Sequence, residues 1–195
     1  MDRSPPARCL SIFKKYLNTR TFFMRKVQKI YLIGFMGAGK TSKGRKLAKK
    51  LGIQFADMDT IIEEQEGMSV QTIFTLKGEE WFREKENEVL RKLGEMKEEM
   101  VISTGGGVPC FNNNMEYINF TGISVYLKMS PTALVSRLTK NQKSERPLLE
   151  GKTDEELLGF INQKLKEREH FYLQSKVVVS AENLTIDDLI SFISL

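Results

Sequence analysis

Three features of this 195-residue chain predict an α/β fold in three layers, with helices on both faces of a mainly parallel sheet. Short runs of β-formers alternate with helical stretches, the pattern of β-α units. The first such run, residues 30–33, leads straight into Gly34-Phe35-Met36-Gly37-Ala38-Gly39-Lys40-Thr41, which fits G-x-x-x-x-G-K-[ST], and a helical stretch follows it. The other suggestive groups, Asp57 with Asp59 and the triplet Gly105, Gly106, Gly107, fall at the ends of later strands. Parallel sheets bind their ligands at those ends.

The elements follow in order. Residues 43–51 are helical and stop at Gly52. Residues 53–59 read as a second short strand ending in Asp-x-Asp, where alternation would point Asp57 and Asp59 to the same side. Residues 60–66 turn helical and close at Gly67. Ser69 is a candidate N-cap for residues 70–76, which Gly78 ends, and a longer amphipathic helix runs from Glu79 to about Leu93. Residues 101–103 form a third strand and residues 123–127 a fourth. Ser130-Pro131 then gives an N-cap with proline at N1. Residues 141–152, NQKSERPLLEGK, are polar and broken by proline and glycine, as a mobile loop would be. Thr153 opens a capped helix reaching about Leu173, residues 177–179 form a fifth strand, and residues 185–193 form a closing helix.

Composition excludes several functions. The net charge of +5 is concentrated at the N-terminus: residues 1–29 carry +7 and residues 30–195 carry −2. A body so close to neutral gives no basic surface for nucleic acid. Cys9 and Cys110 stand far apart and give neither a disulfide framework nor metal-ligand spacing, so a reducing, cytoplasmic setting is expected. A single histidine, His170, removes His-based triads and two-His metal motifs. No stretch approaches the roughly 18 apolar residues of a membrane span. Residues 1–26 are basic and nearly free of acid without the apolar core of a signal peptide. They read as an extension, 27–195 being the folded domain. Met24 is an alternative start.

The glycine loop explains itself chemically. Its backbone N–H groups turn inward around phosphates, and the N-terminus of the following helix adds partial positive charge. Lys40 reaches the β- and γ-phosphates of a nucleotide such as ATP, and the Thr41 hydroxyl suits Mg²⁺. A carboxylate at a neighbouring strand end, Asp57 or Asp59, can help hold that ion, and a second can accept a proton from a hydroxyl substrate. Either can equally cap the next helix. Arg83 and Glu86 are three residues apart on one helix and can touch. Arg168 and Arg146 read on their own as ordinary charges. The glycine triplet weakens any regular element, so its use is a sharp turn or close approach of the backbone to something small.

Together these motifs resemble shikimate kinase over essentially all of residues 29–195. The resemblance rests on GFMGAGKTSKGRKLA at residues 34–48, FADMD at 55–59, FREKE at 82–86, STGGGV at 103–108, RPLL at 146–149, and R-x-x-x-Y from Arg168 to Tyr172. It implies a five-stranded parallel sheet of order 2-3-1-4-5 and a lid at about residues 141–153. It also implies transfer of the ATP γ-phosphate to the 3-hydroxyl of shikimate, in a monomeric enzyme.

By the same resemblance Gly37, Ala38, Gly39, Lys40, Thr41 and Ser42 bind the nucleotide, with Arg137 against the adenine and Arg146 reaching the phosphates from the lid. Thr41 and Asp57 serve Mg²⁺. Asp59 binds substrate hydroxyls and acts as base. Arg83, oriented by Glu86, and Arg168 clamp the substrate carboxylate, and the Gly105, Gly106 and Gly107 backbone lines the pocket. Residues 180–183 lack the aspartate and later proline often found in the family's adenine loop, and the interval from Arg137 to Arg146 is slightly long. The rival readings are another small-molecule kinase of this kind, such as a gluconate kinase, and a catalytically idle binding module. Neither accounts for the arginine pair, the triplet and the intact Lys40 together.

Overall fold

The structure, a computed structural model, describes residues 29–141 and 153–193. The expected extension at residues 1–26, the lid loop and Arg146 lie outside the described residues. Five strands, β1 (Lys29–Ile33), β2 (Gln54–Asp57), β3 (Met100–Ser103), β4 (Gly122–Lys128) and β5 (Val177–Ser180), form one sheet of order β2-β3-β1-β4-β5. Every pairing is parallel. Among the described residues the α-helices are α1 (Lys40–Leu51), α2 (Met58–Glu66), α3 (Val70–Glu95), α4 (Asn114–Thr121), α5 (Pro131–Asn141), α6 (Asp154–Tyr172) and α7 (Ile186–Ile193), and Val108–Cys110 forms a short 3-10 helix. None is long and apolar enough to cross a membrane.

The central strand shows why the layers form. All five residues of β1 are buried, so Tyr31, Leu32 and Ile33 need helices on both faces of the sheet. Leu47, Ile62, Leu90, Ile118, Leu134 and Ile161, each from a different helix, are buried in the same core. At the sheet edges, β2 and β5 are only partly covered.

Local signals end the elements where side-chain chemistry directs. Gly52 and Gly67 close α1 and α2 in the left-handed conformation, with φ of 69° and 66°. Ser69 Oγ accepts the Thr72 N–H at 3.2 Å, and Thr153 with Glu156 completes a capping box at the start of α6. Gly78 (φ 83°, ψ 171°) breaks α3 into the two pieces its sequence implies.

Two elements differ from expectation. β2 stops at Asp57, and Asp59 already lies in the first turn of α2, so the Asp-x-Asp segment is not extended and strand alternation does not align its carboxylates. Asp57 is the helix cap, accepting the N–H groups of Asp59 and Thr60 at 3.2 and 3.5 Å, and this satisfaction of otherwise orphaned donors favours the early helix start. Helix α4 has no counterpart in the sequence reading. It follows Asn112 and Asn113, both at φ 53°, where asparagine tolerates the left-handed region.

Candidate active site

The loop between β1 and α1 has the backbone a phosphate cradle requires. Gly37 and Gly39 take φ of 82° and 90°, which side chains with a Cβ disfavour, and Ala38 N donates to Phe35 O at 3.1 Å. Lys40 lies over the loop, donating from Nζ to the Gly34 and Phe35 carbonyls at 2.9 and 3.1 Å. Thr41 and Ser42 are exposed in the first turn of α1. Thr41 Oγ1 donates to Asp57 Oδ2 at 2.7 Å and lies 3.5 Å from Ser103 Oγ. Parallel pairing brings this about, since β2 and β3 align Asp57 beside Ser103 at the carboxyl end of the sheet. Arg137, on α5, places Nη1 3.4 Å from the Ala38 carbonyl, on the flank of the same loop.

The second half of the site assembles around the glycine triplet after β3. A Cβ on Gly105 would stand 2.6 Å from Glu86 Oε1 and 2.8 Å from Asp59 Oδ1. One on Gly107 would run into the Arg83 guanidinium, and one on Gly106 would lie 3.6 Å from Gly34 O and 3.8 Å from both Arg168 Nη1 and Met36 N. The triplet is therefore where α2, α3, α6 and the phosphate loop converge. Close approach, the second of the two uses open to three glycines, is what the structure shows.

Arg83 is held in a defined pose. Nη1 donates to Glu86 Oε2 at 2.6 Å, while Nε and Nη2 donate to Glu79 Oε1 at 3.2 and 2.8 Å. Phe111 stacks on the guanidinium, with its ring centre 4.5 Å from Cζ. Asn112 Nδ2 donates to the Arg83 carbonyl at 3.3 Å. Burial works against the Arg83 cation, but Glu86 and Glu79 outweigh it and raise its pKa. Burial pushes the Glu86 carboxyl up to about 7, with Arg83 opposing and the Asp59 charge assisting. Burial also holds the Cys110 thiol up, at about 11, despite Arg168 and Arg83 nearby.

Of the residues expected at the site, Arg137 lies against the phosphate loop, and Asp59, Arg83 and Arg168 lie around the glycine triplet. Glu79, Ser103 and Phe111 were missed. Glu79 stands four residues before Arg83, a helical spacing that signals contact. Phe111 carries no such signal; it ends the short 3-10 helix Val108–Cys110 that follows the triplet. The loop after β5 is pinned on both sides. Glu182 Oε1 accepts Ser130 N and Oγ at 3.0 and 2.8 Å, and Lys43 Nζ donates to the Leu184 carbonyl at 2.8 Å.

A glycine loop with its lysine and threonine, on a parallel sheet of order 2-3-1-4-5, defines a P-loop kinase. The sequence profile of shikimate kinase matches residues 36–193. A shikimate kinase of Bacteroides fragilis is 48% identical over 156 residues, 80% of this chain and 86% of that protein. One of Parabacteroides distasonis is 42% identical over 168 residues, 86% of this chain and 96% of that protein. The chain belongs to the shikimate kinase family. The crystal structure of the Bacteroides thetaiotaomicron shikimate kinase superposes with a TM-score of 0.82 at 41% identity, covering 86% of this chain and 99% of that one. That of Acinetobacter baumannii, in complex with shikimate, gives 0.73 at 33% identity, covering 89% and 92%. A Sinorhizobium meliloti gluconokinase gives 0.51 at 15% identity, covering 86% and 89%, a likeness of fold alone.

Proposed function

We propose that the protein transfers the γ-phosphoryl group of ATP to the 3-hydroxyl of shikimate, giving shikimate 3-phosphate and ADP in the route to chorismate and the aromatic amino acids. One observation carries this reading: the glycine triplet packs against Asp59, Arg83 and Arg168 on one side and the phosphate loop on the other. An acceptor with both a carboxylate and hydroxyls is what such a set suits. Arginine forks bind a planar carboxylate and stay charged at any working pH. Asp59, at the start of α2 beside Gly105, takes the proton of the attacking hydroxyl. Gly105, Gly106 and Gly107 present backbone where a side chain would exclude the substrate.

On the nucleotide side, residues 37–42 hold the phosphates, with Lys40 on the β- and γ-groups. Arg137 lies against the base, and Arg146, assigned from sequence alone, reaches the phosphates. The Thr41 hydroxyl and Asp57 carboxylate are oxygen donors 2.7 Å apart. Such hard donors fit Mg²⁺, which supplies charge neutralisation for phosphates when bound. Phosphoryl transfer depends on positioning and charge stabilisation more than on covalent chemistry, so the reaction needs no histidine. The same reading makes the protein a cytoplasmic monomer acting on two small substrates.

An ADP-release assay with Mg-ATP and shikimate, gluconate or nucleoside monophosphates tests it. Turnover should be high with shikimate and far lower with the rest; equal or better turnover with gluconate would refute the assignment.

A further inference from the structure

Tyr172 closes α6 one helical turn beyond Arg168 and is fully buried, with its ring packed on Tyr126 at 5.2 Å between centres. Its hydroxyl nevertheless reaches the substrate side of the site, donating to the Gly106 carbonyl at 2.5 Å. Burial raises the pKa of this hydroxyl, and the positive charge of Arg168, one helical turn earlier, lies near it and works against the rise. A phenol oxygen has one proton to give and lone pairs to receive, so it can serve both partners at once. Gly106 is the residue whose Cα faces Arg168 Nη1, Gly34 O and Met36 N, at the seam between the phosphate loop and the acceptor pocket. Burial pushes the phenol well above the usual tyrosine range, so it stays protonated and able to donate throughout neutral pH.

We propose that Tyr172 is a positioning residue for the acceptor: its hydroxyl fixes the Gly106 backbone and the Arg168 guanidinium relative to each other. The inference rests on the assignment of Arg168 and the triplet to shikimate binding. Its role is distinct from packing, because the aromatic ring alone would fill the core. A carbonyl released from its donor lets the triplet backbone shift away from the pose that holds the acceptor, which weakens binding of the acceptor more than it slows the transfer.

The test is Tyr172→Phe, which removes one oxygen and keeps the ring. KM for shikimate should rise about tenfold, with kcat changed less than about threefold and KM for ATP unchanged. The effect should shrink in an Arg168→Ala background, since the two residues act through one contact. Incorporating 4-aminophenylalanine at position 172, which restores an N–H donor, should recover most of the loss. An unchanged KM for shikimate in Tyr172→Phe overturns the inference. So does a rise in both KM values with a falling melting temperature, which assigns the hydroxyl to the core alone. Should Tyr172→Phe fail to fold, the 4-aminophenylalanine protein decides the matter alone: normal KM supports the proposal and a raised KM overturns it. Wild-type protein inactive on shikimate would overturn the functional reading and this inference with it; active wild type with an unaffected variant overturns this inference only.

Discussion

Asp57 Oδ2 accepts the Thr41 hydroxyl at 2.7 Å while Asp57 Oδ1 caps helix α2. One oxygen of this carboxylate therefore serves the helix cap, and the other faces the Thr41 hydroxyl, with which it is proposed to serve Mg²⁺. The two can be separated. Asn is as good an N-cap as Asp, so Asp57→Asn should keep stability within about 0.5 kcal/mol while weakening the oxygen set proposed for Mg²⁺. Asp57→Ala should lose both, with a further cost of about 1 kcal/mol from the cap. Thermal melts beside Mg²⁺ titrations of ADP release would show it. Asn behaving like Ala in the melts would refute the division of labour.

The triplet predicts unequal tolerance of alanine. At Gly105 the added methyl would press on the Glu86 and Asp59 carboxylates, at 2.6 and 2.8 Å, and Glu86 is buried and cannot retreat. At Gly106 the nearest atom is 3.6 Å away. Gly105→Ala should therefore lower kcat/KM for shikimate by about a hundredfold or more, through displacement of Asp59, the proposed base, and of Glu86 behind the proposed Arg83 clamp. Gly106→Ala should cost less. Steady-state kinetics of the two variants side by side checks the order, and a reversal would show that Glu86 or Asp59 yields easily.

Arg83 is already engaged with two carboxylates, and they differ in kind. Glu86 is buried behind it, whereas the Glu79 side chain is 58% exposed. A substrate carboxylate proposed to bind Arg83 on its Nη2 side competes with Glu79, and this exposed pair yields the more readily, since such pairs contribute only about 0–1 kcal/mol. Glu79→Gln should thus lower KM for shikimate by about two- to fivefold without lowering kcat, the range that this pair energy allows. Arg83→Ala should raise the same KM strongly, and Asp59→Asn should instead lower kcat. A raised KM in Glu79→Gln would mean that Glu79 supports the binding pose and does not compete with it.

Most of the sheet was legible because each strand is short, apolar and bounded by a cap or a glycine. The parts that were not legible have specific causes. Asp-x-Asp carries equal credentials as a strand end and a helix start, and only Asp57's bonds to the Asp59 and Thr60 N–H groups decide for the helix. Helix α4 hides behind three consecutive asparagines, which read as a turn, although Met115 and Ile118 are buried in the core. At the site, the three-residue spacing of Arg83 and Glu86 says only that the two can touch. Nothing local could reveal Arg168 beside Gly106, because the sheet and α6 bring residues 62 positions apart into contact. Only the motif series as a whole pointed there.

Glu86 makes the protein's stability depend on pH in a defined direction. Burial raises its carboxyl from 4.5 to about 7, so the folded protein holds this proton more tightly than the unfolded chain does. The resulting stabilisation is fully present below the unfolded value and is lost as pH rises through about 7. Glu86→Gln resembles the protonated acid and keeps a partner for Arg83, so its stability should lack this component. The melting temperature of the variant relative to wild type should accordingly rise between pH 5 and pH 8, by about 2–4 °C for each kcal/mol of linkage. Scanning calorimetry across that interval reads the difference directly. A gap that stays constant with pH, or moves the other way, would show that Arg83 keeps Glu86 ionised throughout and that the buried pair behaves as a permanent salt bridge.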